Sequence, residues 1–247
     1  MTLIITEVSR YGIVMVADSA VTSINEDTGE IHSIEENGAT KLSKIDYLNA
    51  GISWWGLGTI NQKNTEEWLN EFIEQNKNDC RSISDFANRL EKELRNILGN
   101  INTELGFHLA GYENTQQGNL PLFYHITNSA VNNCFDHTTK EFDAQKDYTP
   151  EKQEYNKENP YWLTRNGDYF LYANISERLQ GFFNQLATIH GVIIPGNQSL
   201  NGREEYLRFY MEMIKKIFSI SNLEQTIGGK VASLKIDSNG IRDYKIE

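Results

Sequence analysis

The sequence predicts an α+β fold in which two sheets pack face to face with helices outside. Three patterns predict it. β-Branched and aromatic runs bounded by turn residues recur along the chain. They alternate with two pairs of amphipathic segments whose apolar residues repeat at three and four positions. The chain closes on a hairpin around Ser238-Asn239-Gly240, where Asn-Gly is a strong turn signal. A sheet and a helix each bury one face, and stacking them as layers satisfies both.

The first runs are Met1–Val8 and Gly12–Asp18, with turn chemistry in Ser9-Arg10-Tyr11-Gly12. With Arg10-Tyr11 as a two-residue loop, paired positions sum to about 21, so Thr2 faces Ser19 and neighbours Asp18. The Asp/Gly-rich Asn25–Glu30 reads as a solvent loop or hairpin tip. A strand follows at Lys41-Leu42-Ser43-Lys44-Ile45, and another over Tyr47–Gly56 runs into a glycine-bearing turn.

Thr65, with Glu66 and Glu67 in the first turn, predicts a helix carrying Trp68, Leu69, Phe72 and Ile73. Ser84-Asp85 opens a second, with Phe86, Leu90, Leu94, Ile97 and Leu98 on one stripe. Strands are expected at Phe107–Gly111 and Leu122–Ile126. From about 130 to 165 the composition turns polar, with Pro150 and Pro160, and predicts a long loop, lid or interface arm. Helical spacing returns over Asp168–Ile189, weakened by Gly181, and over Glu204–Ile220. Lys230–Ile236 and Asp243–Ile246 form the closing hairpin.

A chain of 247 residues suits one large domain, with the 130–165 stretch as an insertion. The net charge of −11 argues against nucleic acid as a partner. No run approaches the roughly 18 to 20 apolar residues of a membrane span. The N-terminus lacks the basic flank and apolar block of a signal peptide, and a cytoplasmic location is expected. Cys80 and Cys134 show no CxxC spacing and read as free thiols. His32, His108, His125, His137 and His190 lack metal-ligand spacing and read as surface residues of strands, loops or helices. The glycines Gly196 and Gly202 lack the phosphate-loop pattern. Neither metal nor cofactor is expected.

Chemistry concentrates at Thr2. Amide hydrolysis near neutral pH needs a nucleophile, a base and an oxyanion site. An N-terminal threonine supplies two of these from one residue, its hydroxyl and an α-amine with a pKa of about 8. Met1 must first be removed, which a threonine at position 2 permits.

Thr2, the hairpin, Asp18-Ser19, Lys41-Leu42-Ser43-Lys44-Ile45, Gly51 and Trp54-Trp55-Gly56 together resemble the N-terminal third of proteasome β-subunits. The likeness is closer still to the HslV-type peptidase. The resemblance implies an N-terminal-nucleophile hydrolase with a four-layer αββα sandwich, acting on peptide or amide bonds as a homo-oligomeric ring or stacked rings, with an ATPase unfoldase as a conceivable partner. It implies Thr2 as nucleophile, Asp18 and Lys41 as the charge network beside it, and the Gly56 amide as oxyanion donor.

Supporting positions are Ser19, Asn166 and Asp168 from Arg165-Asn166-Gly167-Asp168, and Glu224 and Thr226 before Gly228-Gly229. The sequence departs from the family where Ile227 stands in place of a serine, and where the Asn25–Glu36 insertion lengthens the gap from Asp18 to Lys41. Read from the residues alone, Asp18 serves equally as a strand-end carboxylate bonding turn amides, and Gly56 as a turn glycine. Lys41 serves equally as a solvated edge-strand charge, and Lys44 competes for its role. Trp54-Trp55 reads either as pocket lining or as core.

Overall fold

The opening hairpin forms in the register its turn dictates. In a computed structural model describing residues 2–24, 31–99, 101–115, 118–133, 136–148, 161–168, 170–191, 199–221 and 226–247, β1 (Leu3–Ser9) and β2 (Gly12–Asp18) pair antiparallel. Ile4 lies opposite Ala17 and Ser9 opposite Gly12. Next come β3 (Val21–Ile24), β4 (Ile31–Glu35), β5 (Leu42–Ile45), β6 (Ala50–Gly56), β7 (Thr59–Ile60) and β8 (Lys63–Asn64). Two helices follow, α1 (Thr65–Asn76) and α2 (Ile83–Leu98). After them run β9 (Leu105–Thr115), β10 (Gly118–Asn133), β11 (Asp136–Tyr148) and β12 (Tyr161–Gly167). Helices α3 (Phe170–His190) and α4 (Leu200–Ile220) lead to the closing hairpin of β13 (Val231–Asp237) and β14 (Gly240–Ile246).

The strands assemble into two five-stranded sheets, ordered β12-β1-β2-β13-β14 and β11-β10-β9-β6-β5, with two short hairpins beside them. Every neighbouring pair in these two sheets is antiparallel. Because β1 and β2 alternate into two different cores, all their residues are buried. Ile4, Val8, Ile13 and Met15 meet Trp55, Ala110 and Phe123 of the second sheet. Leu3, Ile5, Val14 and Val16 meet Leu207, Tyr210, Met211 and Ile214 of α4. A third core joins α1 and α2 to the opposite face of the second sheet through Phe72, Phe86, Leu90, Ile52 and Phe107. Arg203 of α4 donates from Nε to the buried Glu7 of β1 at 2.6 Å, tying that helix to the hairpin. Among the described residues no helix is long and apolar enough to cross a membrane.

The structure corrects the sequence reading in several places. The stretch expected to be a loop holds the end of β10, all of β11 and most of β12, while residues 149–160 lie outside the described residues. Its composition misleads because β11 and β12 are edge strands. An edge strand needs few apolar residues, and charges on its open side suit it. Phe142 and Tyr148 carry the burial of β11. Register shifts interrupt its pairing with β10, which further blurs the period-two signal.

The helix caps also shift. Asn64, not Thr65, caps α1 by accepting from the Glu67 amide at 2.6 Å, and α2 opens at Ile83, ahead of Ser84-Asp85, with Ser82 as its cap. Asp46–Leu48 forms a 3-10 turn ahead of β6 instead of beginning the strand. Cys80 is a buried free thiol, and Cys134 lies outside the described residues.

Candidate active site

The open end of the β1–β2 hairpin is where the polar residues gather. Asp18 is the last residue of β2, and its carboxylate is almost completely surrounded. Its Oδ1 accepts from the Leu3 amide at 3.0 Å and from Lys41 Nζ at 3.1 Å. Its Oδ2 accepts from the amides of Ala20 at 3.1 Å and Gly228 at 3.3 Å. One carboxylate therefore fastens the strand that begins beside Thr2, the turn after β2, the segment before β13 and the residue preceding β5.

Lys41 also donates to the Ala20 carbonyl, and its side chain is 1 % exposed. Burial pushes its ammonium below the ordinary lysine range, and the Asp18 charge offsets part of that push. Lys44 points elsewhere: it pairs with Asp46 at 3.0 Å in solvent. A cavity of about 270 Å³ opens beside the pair, with Asp18, Lys41, Thr40, Glu66 and Lys230 in its wall.

Thr2 is itself buried, 2 % exposed. Its carbonyl accepts from the Asp168 amide at 2.6 Å, just past the end of β12. Gly167 makes that approach possible. Its φ is +91°, and a Cβ there would lie 1.8 Å from the Thr2 carbonyl oxygen. Asp168 in turn accepts from the Thr226 hydroxyl at 2.5 Å. Ser19 locks the neighbouring segments together: its hydroxyl donates to the Glu36 carbonyl at 2.8 Å and accepts from the Lys230 amide at 2.7 Å. Asn166, one residue before Gly167, takes part through His108, whose Nε2 lies 2.7 Å from its Oδ1.

The other sequence candidates fall as follows. Gly56 ends β6 with φ +94°, and a Cβ there would meet the Glu104 carbonyl at 2.1 Å, so backbone packing alone requires glycine. Trp54 and Trp55 are both core residues, on opposite faces of β6. Glu224 lies outside the described residues. Ile227 is buried against α4. No cluster of His, Cys, Asp and Glu able to hold a metal occurs among the described residues.

His108 is the residue the sequence reading misplaced. It is fully buried, between the Thr6 hydroxyl on Nδ1 at 3.0 Å and Asn166 on Nε2. His125 beside it is partly buried, and its Nε2 has no access to solvent. Both lie on strands at the same parity as buried apolar residues, Ala110 for His108 and Phe123 for His125. That parity was the available signal.

Two five-stranded antiparallel sheets with paired helices define a proteasome-like fold. One solved structure with this likeness is a Gly-1 mutant of Anbu, a proteasome-like, HslV-related protein, from Hyphomicrobium sp. strain MC1. The TM-score is 0.53 and the identity 13 %, over all of this chain and 86 % of that one. At that identity the likeness concerns the fold alone. By sequence the chain matches no family model and no curated protein.

Proposed function

We propose that this chain is an N-terminal-nucleophile hydrolase of the proteasome β-subunit and HslV type, hydrolysing peptide or amide bonds through Thr2 once Met1 is removed. The observation that carries the reading is the buried Lys41–Asp18 pair, joined to the first strand through the Leu3 amide. A structural hairpin gains nothing from burying a lysine at its open end, because the desolvation of both charges opposes it.

In this mechanism the freed α-amine of Thr2 accepts the hydroxyl proton as the oxygen attacks the substrate carbonyl carbon. The Lys41 ammonium favours the deprotonated forms of both groups. The Gly56 amide is the proposed donor to the oxyanion. The amine then returns its proton to the leaving nitrogen, and water cleaves the resulting ester to restore Thr2. Asp168, Thr226, Ser19, Asn166 and Glu224 are the proposed support for the amine and the surrounding turns.

The three cores, one between the sheets and one outside each, support a four-layer αββα sandwich in one domain. A cytoplasmic homo-oligomer, in a ring or stacked rings and with or without an ATPase unfoldase, completes the proposal.

A second reading, a non-catalytic subunit on the same fold, is favoured by Ile227, an apolar core residue where the family's supporting serine is expected. A small-molecule amidase using the same threonine is the third. Intact-mass analysis after exposure to a β-lactone separates them. The hydrolase reading expects loss of Met1 and one adduct on Thr2, both reactivity and fluorogenic-peptide hydrolysis disappearing in Thr2→Ala. Retained Met1 with no adduct sinks it, and so does hydrolysis that survives Thr2→Ala.

A further inference from the structure

We infer that His108, from the middle of β9 in the opposite sheet, is a positioning residue for Thr2: its Nε2–H holds Asn166 and with it the strand end whose next amide but one binds the Thr2 carbonyl. The inference rests on the reading of Thr2 as the nucleophile. Asn166 pairs with Ile4, Gly167 with Leu3, and the Asp168 amide donates to the Thr2 carbonyl at 2.6 Å, so the last two residues of β12 and the one after them face the first two of β1 and the one before them.

That strand, β12, is the edge of its sheet, and among the described residues its backbone pairs with β1 alone. Strand ends at an edge open readily, because one ladder holds them. The bond from His108 to Asn166 at 2.7 Å comes from the other sheet and clamps this end across the core. It acts one residue before Gly167, whose left-handed backbone turns the chain toward Thr2.

The ring is itself fixed. Phe123 stands edge-on at 5.2 Å and His125 at 5.3 Å, and the Thr6 hydroxyl meets Nδ1 at 3.0 Å. The Asn166 carbonyl oxygen can only accept, so Nε2 carries the proton and Nδ1 takes the hydroxyl hydrogen of Thr6. Burial, reinforced by His125, keeps the imidazole well below its ordinary pKa and so neutral in this tautomer, although the Asn166 bond pulls the other way. Neutral imidazole satisfies both neighbours at once. His108 touches no reacting atom and acts only through the strand end.

The test uses His108→Leu, His108→Gln and Asn166→Ala with two readouts, amide hydrogen exchange at Asp168 by NMR and β-lactone acylation of Thr2. Relative to amides of β6 and β9, exchange at Asp168 is expected to quicken about tenfold in His108→Leu and Asn166→Ala, the scale of one buried hydrogen bond. His108→Gln, whose amide nitrogen can still donate to Asn166, restores the slow rate. The limiting acylation rate should fall by a similar factor in the first two variants, with the half-saturating concentration unchanged.

A histidine that only fills the core would lower the thermal midpoint while leaving Asp168 exchange in step with the reference amides, and that result overturns the inference. Should His108→Leu fail to fold, Asn166→Ala, which keeps the histidine, decides it: wild-type exchange at Asp168 in that variant also overturns it. If the wild type is not acylated and yet Asp168 responds as stated, the nucleophile reading falls and the His108 link stands. If acylation occurs and Asp168 does not respond, the link falls alone.

Discussion

Breaking the Asp18–Lys41 pair from either side should not have equal effects, and the structure says which side is worse. Asp18 accepts from three backbone amides besides Lys41. In Lys41→Met the carboxylate keeps all three, an arrangement that stabilises a buried anion by itself. The expected loss is about 1.5–3 kcal/mol, the net contribution of a hydrogen bond to a charged group.

In Asp18→Asn the amide nitrogen that replaces one oxygen confronts N–H groups that need an acceptor. In either rotamer at least one amide is left without its partner, and a buried ammonium loses its counter-charge. That loss is expected at about 3–5 kcal/mol, the range for an uncompensated buried charge. Guanidinium chloride unfolding of both single variants and the double variant, compared as a thermodynamic cycle, reads the difference. A coupling below about 0.5 kcal/mol, the behaviour of an exposed pair, would refute the assignment. So would Lys41→Met proving as damaging as Asp18→Asn.

Two further expectations concern the same end of the fold. Burial, with a smaller push from Lys140, holds His125 down to about 4 from an ordinary 6.5. A depressed histidine pKa means that the unfolded chain binds the proton first, so its contribution to stability is present above pH 6.5 and is lost as pH falls from there to about 4. At about 1.4 kcal/mol per pH unit the total is at most about 3.5 kcal/mol. Urea midpoints measured from pH 7 to 4 should therefore fall less steeply in His125→Phe than in the wild type, and parallel curves would contradict this. Gly167→Ala introduces a Cβ into the Thr2 carbonyl at a left-handed position. It should destabilise by at least about 2 kcal/mol, from steric overlap and backbone strain together. A thermal midpoint within a degree of wild type would show that the β12 turn does not approach Thr2 as described.

Much of this site was legible as local pattern. The turn at Arg10-Tyr11 set the register of β1 and β2, and register put Asp18 beside the first residues of the chain. Both helix pairs were read from their apolar spacing, because each buries one face. Which lysine meets Asp18 was less accessible. Lys41 and Lys44 are three residues apart in one strand region, and only the packing of β5 against the first sheet buries the former and leaves the latter in water. The polar strands β11 and β12 were read as loop, since edge position removes the demand for apolar residues that periodicity detects.

By itself the sequence determined the alternation of strands and helices, the opening hairpin and the place of Thr2 and Asp18 on it, because turn geometry and side-chain period act over a few residues. Only the tertiary structure decided that the polar stretch before Gly167 closes against Thr2, that Lys41 is buried on Asp18, and that His108 meets Asn166 across the core. Each of those depends on which strand becomes a sheet edge and which faces meet across the core, and both are set by contacts between residues scores of positions apart.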